Sequence, residues 1–134
     1  MKAFTDISQS KKLAKILPLE SADMYYFTII RDYPYSQGKI KTIAKIMDGS
    51  FSSDYDTPCW SLAALLGVIP FHLIINNQRY AFSMHKGLNK DGETYMIRYN
   101  VFNTDVCLYS TDYYNNPIDA CVEMIIKLHE LNLL

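Results

Sequence analysis

The stretch that decides the fold is Thr57-Pro58-Cys59-Trp60-Ser61-Leu62-Ala63-Ala64-Leu65-Leu66-Gly67. It predicts a short helix with both ends marked and with the only tryptophan on its apolar face. Thr57 can cap the first free amides, and Pro58 suits the first helical position because its missing N–H would have no partner there. Gly67 can adopt the left-handed conformation that ends a helix, and Pro70 discourages any continuation.

Length and composition place the chain among ordinary folded proteins. With 134 residues, 49% of them apolar and 20% charged, it fits a single globular domain spanning 1–134. The formal net charge is −1, from 13 basic and 14 acidic side chains. A dedicated nucleic-acid binder usually has a marked basic excess, so the composition argues against nucleic acid as the main partner.

The cysteines indicate a reducing compartment. Cys59, Cys107 and Cys121 form an odd and widely spaced set without a C-x-x-C pair, which is typical of reduced structural thiols and favours the cytoplasm. The segment 1–17 is polar and lacks the apolar core of a signal peptide. No run approaches the ~20 apolar residues that span a bilayer, so we expect no membrane association.

The first half of the chain predicts one helix and a hairpin. Spaced apolar residues indicate a helix from about Ser8 to Leu17, and aromatic and β-branched residues indicate a strand over Met24–Arg31. Asp32–Gly38 has turn composition. Lys39–Met47 is ambiguous, because its apolar spacing fits a helical face while its β-branched residues fit a returning strand. We favour the strand, which forms a hairpin with Tyr25–Arg31.

The second half predicts an antiparallel meander followed by a helix. Every connection between the strands is too short for a parallel crossover, and Asn76-Asn77 marks a tight turn. The terminal helix has Asn116 as its cap and Pro117 in its first turn, and the apolar tail after it is expected to dock. The predicted strands are Phe71–Ile75, Arg79–Met84, Thr94–Phe102 and Val106–Ser110.

These elements predict an α+β fold: an antiparallel sheet of four to six strands with two or three helices packed on one face. The other face of the sheet is expected to carry tyrosines and to be partly open, or to be covered by a second copy of the chain.

The sequence contains few candidate catalytic residues. His72, His85 and His129 share no metal-ligand spacing, and we assign no catalytic residue, metal site or cofactor. Cys59 is the sharpest enzymatic candidate, because the N-terminus of a helix lowers the pKa of a thiol. A nucleophilic role also needs an accessible thiol and a histidine within reach. The alternative is a small packing residue beside Trp60.

Eleven tyrosines are unusual for this length. Tyrosine is enriched on recognition surfaces and is equally suited to a half-buried sheet face, so both interpretations stay open. If one face of the sheet is open, the candidate interaction surface consists of Tyr25, Tyr80, Tyr95 and Tyr99. The nearby Lys39, Lys41 and Lys45 fit a solvated edge strand better than a nucleic-acid contact.

Three segments together resemble a known group of sequences: Lys11–Met24, the stretch Thr57–Leu66, and Asp119-Ala120-Cys121-Val122-Glu123-Met124-Ile125-Ile126-Lys127-Leu128-His129-Glu130. The group consists of short, uncharacterised proteins of gut Bacteroides-type bacteria, often encoded near prophage or mobile-element genes. The resemblance implies a phage-like or mobile origin and no particular catalysis.

We therefore expect a non-enzymatic protein-interaction module of phage or mobile-element origin, with an unknown protein partner or a second copy as a homodimer. The alternative is a small ligand-binding or thiol-dependent enzyme domain with a pocket near Cys59 and Trp60. A third hypothesis is single-stranded nucleic-acid binding through lysines and tyrosines.

Overall fold

The computed structural model describes residues 2–30 and 40–134. Within these residues the chain has three α-helices and seven strands, and the strands form two antiparallel sheets of three and four strands. The predicted α+β class is confirmed. The chain divides into an N-terminal unit, Phe4–Ala64, and a C-terminal unit, which comprises Leu65–Leu134 with Lys2 and Ala3.

The N-terminal unit begins with helix α1, Ile7–Ala14, which is shorter than the predicted Ser8–Leu17. A reciprocal capping arrangement fixes its start. The backbone N–H of Gln9 donates to Asp6 Oδ1 at 2.8 Å, and the backbone N–H of Asp6 donates to Gln9 Oε1 at 3.1 Å. A short 3₁₀ helix, Leu19–Ser21, follows α1.

Three strands of the N-terminal unit form a sheet in the order β2-β1-β3. Their bounds are Met24–Ile30 for β1, Ile40–Ile46 for β2 and Thr57–Cys59 for β3. β1 and β2 pair antiparallel over their full lengths, which confirms the strand interpretation of Lys39–Met47. The predicted turn Asp32–Gly38 lies outside the described residues.

The helix predicted for Thr57–Gly67 starts later than the sequence indicates. Thr57–Cys59 is an edge strand paired with β1, and helix α2 spans Leu62–Val68. The capping hydroxyl belongs to Ser61, which accepts the backbone N–H of Ala64 at 3.2 Å. The roles assigned to Thr57, Pro58 and Gly67 are therefore wrong. Proline fits an edge strand as well as a first helical turn, and Gly67 lies inside α2.

The C-terminal unit contains the predicted meander, in the order β4-β5-β6-β7. Asn76 and Asn77, at φ 52° and 66°, form the left-handed turn between β4 and β5, as asparagine pairs do in two-residue hairpins. β5 continues past Met84 and is longer than predicted. The bounds are His72–Ile75 for β4, Gln78–Asn89 for β5, Gly92–Val101 for β6 and Cys107–Ser110 for β7.

The last helix, α3, spans Pro117–Glu130 and confirms its predicted cap. Asn116 Oδ1 accepts the backbone N–H of Asp119 at 2.9 Å. The inward side of α3 supplies much of the core of this unit. Leu131 and Leu134 remain 42% and 40% exposed, so the apolar tail, expected to dock onto the domain or onto a partner, is only partly buried in the single chain. The buried side chains of α3 include Ile118, Cys121, Val122, Met124, Ile125 and Leu128.

Candidate interaction surface

The four-stranded sheet has two chemically different faces. Directly paired residues of antiparallel strands share a face, and the face alternates along each strand. Tyr99 pairs with Tyr109, and the Lys127 ammonium of α3 lies 5.6 Å from the centre of the Tyr109 ring, so α3 packs on the tyrosine side. We call this side the helix-covered face; it carries Tyr80, Phe82, Met84, Tyr95, Ile97, Tyr99 and Tyr109.

The opposite side of the sheet is the open face. Its exposed members include His72, Ile74, Arg79, His85, Phe102 and Cys107, and its other positions are half-buried except Met96, which is 9% exposed. The open face comprises His72, Ile74, Arg79, Ala81, Ser83, His85, Gly87, Thr94, Met96, Arg98, Asn100, Phe102, Cys107 and Ser110.

One row across the open face combines apolar area with a cation. Ile74 pairs with Arg79, whose carbonyl accepts the backbone N–H of Phe102 at 3.0 Å. The guanidinium carbon of Arg79 lies 5.9 Å from the centre of the Phe102 ring, a cation–π distance. Ile74 is 62% exposed and Phe102 is 51% exposed. The row therefore offers a partner two apolar side chains on either side of an arginine.

The open face is electrostatically one-sided. Its strand positions include Arg79 and Arg98 and no aspartate or glutamate. Arg98 donates through Nη2 to the backbone carbonyl of Asp105 at 3.3 Å. Among the described residues, neither guanidinium has a carboxylate within 4.0 Å. Uncompensated arginines beside apolar side chains favour an anionic partner that also buries apolar area.

The open face brings one pair of polar side chains together. Ser83 Oγ and His85 Nε2 are 3.0 Å apart on neighbouring positions of the face. In the described part of the chain no third group hydrogen-bonds to this pair, and no three histidine, cysteine or carboxylate side chains are placed to hold a metal ion. Asn100 Oδ1 is buried without a hydrogen-bond partner among the described residues.

The predicted tyrosine surface needs correction. Tyr25 and Tyr99 are fully buried, Tyr95 is 7% exposed and Tyr80 is half-buried, so they do not form an exposed surface. Tyr99 donates its hydroxyl to the carbonyl of Pro70, and burial raises the pKa of that hydroxyl. Tyrosine is stable in the interior because its ring is apolar and its single hydroxyl can form a hydrogen bond there.

The thiol hypothesis also loses its structural basis. Cys59 and Trp60 are fully buried in the N-terminal unit, and Cys59 lies on β3 and not at a helix N-terminus. The Cys59 thiol is 3.4 Å from the carbonyl of Thr5 and 3.5 Å from its hydroxyl. Burial raises the pKa of this thiol, and its hydrogen-bond partners among the described residues include no histidine.

A shallow hollow of about 460 Å³ exists in the N-terminal unit, and neither Cys59 nor Trp60 lines it. One of its two carboxylates, Asp48, already accepts the Tyr25 hydroxyl and the backbone N–H of Ser50, each at 2.9 Å. Those two donors lower the pKa of Asp48, with the Ser50 amide contributing most. The carboxylate therefore holds the wall in place. The hollow is lined by Leu19, Glu20, Ala22, Met47, Asp48, Gly49 and Phe51.

The predicted lysine cluster lies on an edge strand, as expected of residues that keep an edge solvated. β2 is an edge of its sheet, and the exposed Lys45 lies 4.3 Å from the centre of the Phe27 ring. Lys39 is outside the described residues.

Comparison with protein-family models, curated proteins and solved structures finds no match for this chain. In the described ranges no helix has the length and apolar character needed to cross a bilayer.

Sequence reasoning identified the alternation of β6 but not which face would be open. Arg98 and Asn100 alternate with Ile97 and Tyr99, so the two faces are readable from the sequence. The signal that distinguishes them is charge: arginine on a strand is rarely buried, whereas tyrosine often is.

Proposed function

We propose that the protein is a non-enzymatic protein-binding module that contacts its partner through the open face of the four-stranded sheet. The observation that carries the proposal is the exposed row Ile74–Arg79–Phe102, with Arg98 two same-face positions further along the sheet, on a face whose strand positions carry no carboxylate. A cytoplasmic location, favoured by the odd and widely spaced set of cysteines, belongs to the same proposal. So does a phage or mobile-element origin, which the resemblance of three sequence segments implies.

A protein partner suits this face better than a nucleic acid. Single-stranded nucleic acid is bound by several exposed aromatic rings along a basic groove. Here the tyrosines of the sheet are turned to the helix-covered face, and Phe102 is the exposed phenylalanine of the open face. Apolar side chains next to Arg79, with Arg98 further along the same face, instead favour a segment that carries both carboxylates and aliphatic groups.

The experiment uses a fluorescein-labelled peptide of about twelve residues in which valine and glutamate alternate. Fluorescence anisotropy measures its binding to the wild-type protein and to the Arg79→Glu, Arg98→Glu double variant. We expect the variant to weaken binding by at least about tenfold, because attraction becomes repulsion. The matched control is the Lys11→Glu, Lys12→Glu double variant, which makes the same charge change on exposed positions of α1.

Three results contradict the proposal. One is that the wild-type protein fails to bind the peptide, and another is that the α1 variant weakens binding as much as the sheet variant. The third is that oligothymidylate binds more tightly than the peptide. If its affinity also falls steeply with added salt and is lost in the arginine variant, the results support the nucleic-acid hypothesis instead. Circular dichroism of both variants is the control that each retains the fold.

A further inference from the structure

Strand β5 extends well beyond its neighbour. β5 has 12 residues and β4 has 4, and their pairing ends where His72 meets Ala81. One further bond joins the backbone N–H of Phe82 to the carbonyl of Phe71 at 3.0 Å. Beyond Phe82, no strand among the described residues lies on that side of β5. The distal part of β5 is therefore a free sheet edge.

The backbone groups on this edge can be assigned from the ladder. In an antiparallel strand the N–H and C=O of one residue point to the same side, and the side alternates along the strand. Phe82 donates toward β4, whereas Arg79 accepts from Phe102, the residue that follows β6. The backbone groups of Met84, Lys86 and Leu88 consequently point away from β6. In the described part of the chain none of these three amides has a hydrogen-bond acceptor.

The side chains along the edge divide by face. On the helix-covered side, Met84 is half-buried and Leu88 is 82% exposed. Between them Lys86 is paired with Glu93 at 3.2 Å, so its charge is already balanced within the hairpin. On the open side the edge presents Ser83 and His85, and Arg98 lies directly across from Ser83 on β6.

We infer that an extended segment of a partner protein adds to β5 as a further strand beside Met84, Lys86 and Leu88. The segment alternates aliphatic residues, which meet Met84 and Leu88, with acidic residues, which reach across the small Ser83 side chain toward Arg98 on β6. The inference rests on the proposed function and specifies the chemistry of the partner. The main-chain bonds supply the docking geometry, and the charge of the open face selects the sequence.

A second copy of the chain fits this edge less well than a foreign acidic segment. Symmetric antiparallel pairing of two β5 edges centred on Lys86 sets one Lys86 directly opposite the other. The Glu93 carboxylate balances each of these lysines, so the pairing is decided by the open face. There a second copy continues one arginine-bearing face into another and supplies no carboxylate at the strand positions. The charge complementarity of the open face therefore selects an acidic strand from another protein.

The test compares Lys86→Pro with Lys86→Ala, using the alternating valine–glutamate peptide as the probe. Both variants remove the lysine and its ion pair with Glu93, but only proline removes the outward N–H. Because that N–H takes no part in the β5–β6 ladder, an edge proline is compatible with the sheet. We expect Lys86→Pro to weaken binding at least about tenfold and Lys86→Ala to change it less than about threefold.

A second measurement is independent of the folding of the proline variant. The peptide is synthesised with N-methyl groups on every second residue, in either of the two alternating phases. Strand addition requires that one phase, which blocks the donors facing β5, abolish binding while the other does not. Equal binding of both methylated peptides and of both Lys86 variants overturns the inference.

The results separate this inference from the proposed function. If the arginine variant loses binding while Lys86→Pro and both methylated peptides bind normally, the open face is the binding surface and strand addition is refuted. If light scattering shows a dimer of the wild-type chain that Lys86→Pro dissociates, a second copy occupies the edge and the inference is overturned.

Discussion

At the scale of single residues, tyrosine and arginine divide the four-stranded sheet between them. The ring of Tyr99 is buried and its hydroxyl bonds to Pro70, while Tyr95 bonds through its hydroxyl to Glu93 at 2.9 Å. Arg79 and Arg98 keep their guanidinium groups outside, because burying an unpaired charge costs far more than burying a hydroxyl that has a partner. Tyrosine side chains thus contribute to the core of this sheet, and arginine side chains contribute to its surface.

The three cysteines should differ sharply in reactivity. Cys107 is exposed, whereas Cys59 and Cys121 are buried, and burial raises the pKa of Cys121 to about 12. Because the thiolate is the reactive form, we expect Ellman's reagent to modify one thiol rapidly in the native protein and all three in denaturant. Cys107→Ser should remove the rapid phase. A rapid phase that persists in this variant would contradict the burial of the other two thiols.

At the scale of elements, local sequence rules predict which helices and strands exist better than they predict where each one begins and ends. The strand interpretation of Lys39–Met47 is confirmed because β-branched residues pair along β1. The predicted start of the helix in Thr57–Gly67 is too early, because Thr57 and Ser61 are both good capping residues and the structure uses Ser61. Pairing of Pro58 with Tyr25 settles the choice, and that contact is long-range in sequence. For the same reason the alternation of β6 was readable, whereas the face that α3 covers was not.

The cap of α3 gives a prediction at this scale. Asn116 is 7% exposed and accepts the backbone N–H of Asp119 through its side chain. Asn116→Ala leaves that amide without its acceptor, so we expect a loss of about 1 kcal/mol in the free energy of unfolding. Asn116→Ser keeps an acceptor oxygen and should lose less. Urea unfolding followed by circular dichroism measures both variants, and equal stabilities would show that the cap is not energetically important.

At the scale of the whole molecule, a near-neutral chain carries a one-sided surface. The 13 basic and 14 acidic residues almost cancel in the composition, which argues against a strong electrostatic role. The register of β5 and β6 nevertheless gathers two arginines on a face that lacks carboxylates. Net charge averages over such patches, so only the arrangement of strands makes the patch visible.

Tyrosine ionisation makes a prediction about both units. The pKa of Tyr26 in the N-terminal unit is raised to about 12, mainly by burial, and that of Tyr114 in the C-terminal unit to about 12, mainly by its hydrogen bond to Glu123. The folded state therefore holds these protons above pH 10, where the unfolded chain releases them, so stability falls as the pH rises from 10 to 12.

Two measurements check this dependence on pH. Thermal unfolding between pH 8 and 11 should show a Tm that is constant at first and declines above about pH 10. Tyrosinate absorbance at high pH should show a fraction of tyrosines that ionise only as the chain unfolds. A Tm that rises above pH 10 would contradict the assigned direction of these shifts.

The fully buried Trp60 lies in the N-terminal unit, and it is the only tryptophan of the chain. Intrinsic indole emission is therefore a local optical reporter of its surroundings, where Nε1 donates to Ser21 at 3.0 Å. Quenching or a spectral shift therefore reports whether the surroundings of Trp60 in the N-terminal unit stay folded. An extrinsic dye attached to the four-stranded sheet reports directly on ligand binding there.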